Sequence, residues 1–386
     1  MNRTAQVAIT SSRDSARTRG SALAAALAAF LLAVVASAIS LPARAEAAAP
    51  PRDFMGVTAW DDIADRDFAK LAGSNVRLYR MDVLWNKVEP RPPRADGTHV
   101  YDWSYYDRMF RTAARHGVRI LPVLQGSPRW AASRPQIQPR TTVGKAAFAA
   151  FAREAGKRYG PTGALWTRAP WSRTSPAPSR LRALYWQVWN EPNTPDRWTP
   201  GPRPGEYATM LKRVSKALNV ASPSVQVMSG GLVWPSRGMN PEPFLAHVLQ
   251  VPGAREAVDV VAVHPYGKIA FNVMQRVRSA RGTLNSYGAA SKSMWVTEMG
   301  WGSGTYDGQF TVPPDKQARN LDELYRELLS VRRSYKLLGA TWFAYKDYRR
   351  GPDQAYYWGY YAGLLRADGG EKPAWRVFSR RARYGY

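Results

Sequence analysis

The chain contains no cysteine, which rules out a disulfide framework, a thiolate nucleophile and a cysteine-ligated zinc site. Histidine is nearly as scarce. His99, His116, His247 and His264 are the only four, and no two form a His-x-x-x-His pair, so a zinc-hydrolase site is not expected. Gly-x-Gly-x-x-Gly and Walker-type loops are missing, as is a Gly-x-Ser-x-Gly elbow. These absences argue against a nucleotide cofactor and against a serine hydrolase of the elbow type. The sequence thus predicts neither a metal nor a cofactor.

Acidic residues are also few, 29 against 55 lysines and arginines, for a formal charge of +26. The first 45 residues carry five arginines and one aspartate, which leaves +22 on the remainder. The arginines are spread along the chain and no nucleic-acid motif accompanies them, so nucleic acid is not expected as a partner. A solvated basic surface is the simpler account, with attraction to an anionic glycan or cell envelope as the alternative. One long apolar run exists. Ser21–Leu41 follows Arg3, Arg13, Arg17 and Arg19 and precedes Ala43-Arg44-Ala45, the pattern of a secretory signal over residues 1–45. About 20 apolar residues can also just span a bilayer, so an uncleaved anchor is the alternative. Either way a secreted or extracytoplasmic protein is expected.

What remains, residues 50–386, has the composition of a packed globular protein, the whole chain being 45% hydrophobic and 22% charged. Apolar runs predict strands at Phe54–Thr58, Asn75–Asp82, Val118–Leu124, Tyr185–Asn190, Val225–Gly230, Val258–His264, Ser293–Glu298 and Ala340–Tyr345. Helical patterns fall between and after them, near 62–72, 104–116, 144–159, 205–220, 241–250, 271–286, 314–336 and 371–382. Strand and helix in strict alternation predict an α/β fold, a single-domain (β/α)8 TIM barrel of buried parallel strands. The Pro/Ser/Arg-rich stretch Trp166–Arg180 precedes a strand and is expected on the amino-terminal face. A monomer is expected.

Two strand ends stand out. Trp186-Gln187-Val188-Trp189-Asn190-Glu191-Pro192-Asn193 ends on an amide, a carboxylate and a strand-stopping proline. Met294-Trp295-Val296-Thr297-Glu298-Met299-Gly300-Trp301 repeats the device 107 positions later. In such a barrel the reactive groups sit at the carboxyl ends of the strands. Two glutamates among tryptophans suit hydrolysis of a glycosidic bond. The same face would receive Arg80 and Asp82 from the second strand, and His264 and Tyr266 from the sixth. Arg80 on an inward position is costly unless paired, so it is expected to hold Glu298 or Asp82. Trp342 is the expected floor of the sugar site, and Trp130, Trp198, Trp234 and Trp301 are candidates to extend a groove, because indoles stack on the apolar faces of pyranoses.

With these motifs in view, the chain resembles glycoside hydrolase clan A over nearly all of the predicted barrel. Trp189-Asn190-Glu191-Pro192-Asn193 is similar to the clan's acid/base motif, and Thr297-Glu298-Met299-Gly300 to its nucleophile motif. Arg80 through Trp85 to Glu89-Pro90, Leu121-Pro122-Val123-Leu124 with Ser127-Pro128-Arg129-Trp130, and Gly363-Leu364-Leu365 with Lys372-Pro373-Ala374 resemble family 39. The resemblance implies a retaining mechanism on a carbohydrate substrate, with Glu191 as acid/base and Glu298 as nucleophile. It also implies that Asn190 bonds the sugar 2-hydroxyl and that Tyr266 bonds the nucleophile. The third strand carries no histidine of the kind found in family 5 cellulases. No accessory β-sandwich like that of the family 39 xylosidases is expected, which makes the single-domain exopolysaccharide hydrolases the closer likeness and endo-action the expectation. An exo-glycosidase, a transglycosylase and a non-catalytic sugar-binding barrel are the alternatives.

Overall fold

The computed structural model of the protein describes residues 50–168, 181–304, 308–349, 351 and 354–384. The leader, and the Trp166–Arg180 stretch beyond Arg168, lie outside the described residues. Residues 50–386 form one compact unit. Its main elements run β1 (Met55–Thr58), α1 (Asp65–Gly73), β2 (Leu78–Leu84), α2 (Ser104–Arg115), β3 (Arg119–Gln125), α3 (Thr142–Tyr159), β4 (Tyr185–Val188) and α4 (Pro204–Ala221). They continue with β5 (Gln226–Met228), α5 (Pro241–Gln250), β6 (Val260–His264), α6 (Ala270–Ser286), β7 (Ser293–Met299), α7 (Pro314–Val331), β8 (Leu337–Phe343) and α8 (Pro373–Tyr384). Neighbouring strands are parallel. Met55 pairs with Ala340 and Met228 with Val260, which closes the sheet into an eight-stranded barrel.

Strand alternation sorts the side chains into two layers. On β2, Tyr79, Met81 and Val83 turn outward and join Phe68, Phe110 and the other helix residues in the main core. Leu78 turns inward and meets Leu121, Met228, Val260, Ala262 and Trp295 inside the barrel. Arg80 and Asp82 share Leu78's phase, so they occupy successively higher inward positions toward the carboxyl end. Helix starts are marked locally. Thr141 accepts a cap bond from Gly144 N, and Pro204, Pro241 and Pro314 stand in the first turns of α4, α5 and α7.

Two boundaries differ from expectation where the backbone enters the left-handed region that non-glycine residues seldom adopt. β4 stops at Val188 because Trp189 adopts φ 69°. α7 ends at Val331, short of residue 336, and Lys336 at φ 52° then carries the chain into β8, which begins at Leu337. Short helices at Trp85–Val88 and Ala164–Arg168 and a tight turn at Trp358–Tyr361 were not predicted. No helix among the described residues is long and apolar enough to cross a membrane.

Candidate active site

The carboxyl ends of β4, β6 and β7 bring Glu191, His264 and Glu298 together. One oxygen of each glutamate and a ring nitrogen of His264 lie within 4.8 Å of one another. Around Glu298 the donors converge. Arg80 Nη1 donates to its Oε1 at 2.8 Å and Tyr266 Oη to its Oε2 at 2.7 Å. Arg80 also donates through Nε to Gln187 Oε1 at 3.0 Å and through Nη2 to Asn190 Oδ1 at 2.7 Å. A buried guanidinium therefore spends every arm on protein partners, holding Glu298 as the sequence led one to expect. Because Asn190 Oδ1 accepts from Arg80, its amide NH2 is the group left to face a ligand.

Burial alone would push the Glu298 carboxyl up. The charges of His264 and Arg80, with the hydrogen bonds of Tyr266 and Arg80, outweigh that cost and hold it below the ordinary carboxylate range. The Tyr266 phenol moves the other way, well above its usual range, because it is buried and faces the Glu298 charge. It stays protonated and stays a donor.

His264 is wholly buried between the two carboxylates, Nδ1 at 3.0 Å from Glu191 Oε1 and Nε2 at 3.6 Å from Glu298 Oε1. The ring fits only because residue 231 is glycine, since a Cβ there would stand 2.0 Å from His264 Nε2. The Gly231→Ala variant is therefore expected to displace the imidazole, destabilise the fold by about 1–3 kcal/mol as overpacking does, and lower kcat. Chemical denaturation and steady-state kinetics on one preparation check this. Unchanged kcat would mean that the imidazole position does not matter.

The trio has the spacing of a cation site, but Glu298 and one nitrogen of His264 already have partners. Arg80 supplies the positive charge on Glu298, and His264 Nδ1 is engaged by Glu191. A divalent ion on Glu298 would have to sit beside the buried Arg80 guanidinium 2.8 Å away, and that charge opposes a metal there.

How Glu298 comes to face inward is a matter of register. β7 pairs Val296 with Ala340 but Met299 with Trp342, so it carries one more residue than β8 between these points. This bulge reverses the alternation, and inward Trp295 is followed three residues later by inward Glu298, as bulges beside active sites do. Just beyond β4 the backbone is strained at Trp189 and at Glu191, with φ 69° and 48°. Each such residue costs on the order of 1–3 kcal/mol. The strain is held by Trp189 N donating to Leu124 O and Glu191 N to Gly231 O.

Three predicted sugar contacts are corrected. Trp342, Trp198 and Trp301 are all 0% exposed and present no face to a ligand. Trp342 takes the outward phase of β8, packs on Trp301 at 5.9 Å and donates to Ala362 O. Its neighbour Phe343 takes the inward phase and meets Tyr266. Trp198 fills the space between Trp189 and Tyr207. Trp301 donates to Gly267 O and Lys268 O and thereby pins the loop after β6. Trp130 is half-buried, edge-on to Trp85, with its indole bonded to Glu89 O. Trp234, also half-buried, donates to Glu242. Glu89 accepts from Trp85 and His99 and is a structural carboxylate, while Asp82 is exposed at the mouth.

Sequence reading missed Tyr357. Its ring packs against Trp60, Trp358 and Tyr360, and desolvation, with the charges of Glu191 and Glu298, pushes its phenol above the ordinary range. The aromatic run Tyr356-Tyr357-Trp358-Gly359-Tyr360-Tyr361 was the available signal.

Comparison with known proteins agrees with this picture. Residues 183–356, from just before β4 to beyond β8 and including both glutamates, match the family model for the glycosyl hydrolase catalytic core. Among solved structures the chain is similar to a family 39 glycoside hydrolase from Bacteroides cellulosilyticus WH2, with 23% identity, TM-score 0.62 and coverage of 87% of this chain and 64% of that one. It is similar to a monomeric β-xylosidase from Caulobacter crescentus CB15, with 19% identity, TM-score 0.61 and coverage of 86% and 69%. An endo-β-1,4-glucanase from Xanthomonas axonopodis pv. citri aligns over 86% of this chain and 98% of its own, with 15% identity and TM-score 0.57. The chain thus spans about two thirds of the first two structures and nearly all of the third. No curated protein sequence matches it. The resemblance to clan A and to family 39, read from the motifs, holds in the fold and in the catalytic-core match.

Proposed function

We propose that this protein is a retaining glycoside hydrolase that cleaves β-glycosidic bonds within a polysaccharide. The observation that carries the reading is the carboxylate gap. One oxygen of Glu191 lies within 4.8 Å of one oxygen of Glu298, a close pairing that suits the carboxyl groups about 5–5.5 Å apart in retaining enzymes better than the roughly 6.5–9.5 Å that leaves room for a water in inverting ones. Glu298, held ionised by Arg80 and Tyr266, attacks the anomeric carbon as Glu191 gives its proton to the departing glycosidic oxygen. Glu191, now a carboxylate, takes a proton from the water that attacks the glycosyl-enzyme, and Glu298 leaves. The Asn190 NH2 is the donor for the sugar 2-hydroxyl. The reading includes export through residues 1–45, a monomeric protein and a solvated basic surface.

The test is a screen of the purified protein on a polysaccharide panel, with proton NMR of the first product formed. The expected product has the anomeric configuration of the substrate. An inverted first product would exclude double displacement. Release of single end units only would exclude endo-action.

A further inference from the structure

A dense group of rings stands beside the catalytic mouth without being part of the core. Trp60 follows β1 and is 39% exposed, and Tyr357 before the Trp358–Tyr361 turn is 41% exposed. The Trp60 ring lies 5.0 Å from Phe343, 5.4 Å from Tyr360, 5.9 Å from Tyr357 and 6.0 Å from Tyr348, edge-on or tilted. Its indole donates to Gly359 O at 2.9 Å. A Cβ at residue 359 would stand 2.4 Å from the Tyr357 ring, so glycine is what lets the turn seat its neighbours. The cluster is continuous with the catalytic centre through Phe343, which meets Tyr266, the donor to Glu298.

Large exposed rings cost solvation unless something covers them. Here they are pre-set by mutual packing, so a ligand need not order them on arrival. Indole faces suit the apolar C–H faces of pyranoses, and phenol hydroxyls suit their rims. We infer that Trp60, Tyr357 and Tyr360 form a sugar-stacking platform. It holds one or more units of a polymeric substrate beyond the unit being cleaved, on the β1 and β8 side of the mouth. This rests on the hydrolase reading and adds to it a requirement for chain length.

The test uses the full chain and aryl β-glycosides of cello-, manno- and xylo-oligosaccharides, from monosaccharide to pentasaccharide. On the ladder that is cleaved, kcat/KM should climb with length. Trp60→Ala should cut the pentasaccharide-to-monosaccharide ratio by about tenfold or more, through KM rather than kcat. Trp60→Tyr should keep most of the ratio, and Tyr360→Ala should lower it as an independent variant. Calorimetric titration of Glu298→Gln with the pentasaccharides reads binding without turnover, and adding Trp60→Ala should weaken it by a similar factor. Ratios within about twofold of wild type in both alanine variants would overturn the platform and leave the hydrolase standing. If the wild type cleaves none of the ladders, the hydrolase reading falls. The platform is then decided by calorimetry, where binding that Trp60→Ala removes keeps it and absence of binding ends it.

Discussion

Glu298→Gln is expected to lower turnover by about 10⁴-fold or more, equivalent to roughly 5 kcal/mol of lost transition-state stabilisation. The amide has nearly the same shape, and its single oxygen can accept from Arg80 while its NH2 donates to the Tyr266 oxygen, so the loss is chemical rather than architectural. It cannot form the ester to the anomeric carbon. Glu191→Ala should separate the two half-reactions. An aryl glycoside with a good leaving group needs no proton to form the glycosyl-enzyme, whereas the second step loses its base. Azide needs no base, so it should restore turnover and yield a glycosyl azide of retained configuration. Steady-state kinetics with product NMR check both variants, and circular dichroism confirms that each is folded. Near-wild-type turnover in Glu298→Gln would remove Glu298 from the chemistry, and failure of azide to accelerate Glu191→Ala would remove Glu191 from its role.

The second large effect concerns Arg80. In the Arg80→Met variant Glu298 keeps only Tyr266 and the neighbouring His264, Gln187 Oε1 loses its donor, and Asn190 Oδ1 keeps only Gln187 Nε2 at 3.4 Å. Breaking a buried charge pair by removing one partner costs about 3–5 kcal/mol, and denaturation at neutral pH should read a loss of that order. The pH dependence follows from the direction of the Glu298 shift. A carboxyl held low in the folded state stabilises the fold above its unfolded pKa, and that stability disappears as pH falls through the lowered folded value. Without Arg80, burial is less opposed and the Glu298 pKa rises. Two results follow. The stability gap between wild type and variant should narrow in acid, and the acid limb of kcat/KM should move to higher pH in the variant. An acid limb that stays in place would mean that Arg80 does not set the ionisation of Glu298.

The barrel was legible in the sequence because its signals are local. Apolar runs of strand length alternate with helical patterns, and the strand-ending Asn190-Glu191-Pro192 and Glu298-Met299-Gly300 mark where the catalytic face lies. Arg80 was legible for a similar reason, since an arginine two residues above Leu78 on the same inward phase has to be paired. The tryptophans were not. Trp342 and Phe343 are adjacent, and which of them faces the mouth depends on the phase of β8 against its neighbours. Trp198 and Trp301 sit in loops whose course no periodicity reports, and both proved to be packing residues. Trp60 and Tyr357 lie about 300 positions apart and meet only because β1 and β8 close the barrel.

Residue order alone determined the strand–helix alternation, the positions of the two strand-ending glutamates, and the absence of thiol chemistry. Only the tertiary structure decided that Glu298 points inward. Simple alternation from inward Trp295 would send it toward the helices, and the extra residue in β7 against β8 turns it into the mouth. Only the fold could set His264 between the carboxylates, because that placement needs the bare backbone of Gly231 from one strand end opposite an imidazole from the next. Both are contacts between strands. They depend on register and close approach across the sheet, which a pattern read along one strand does not contain.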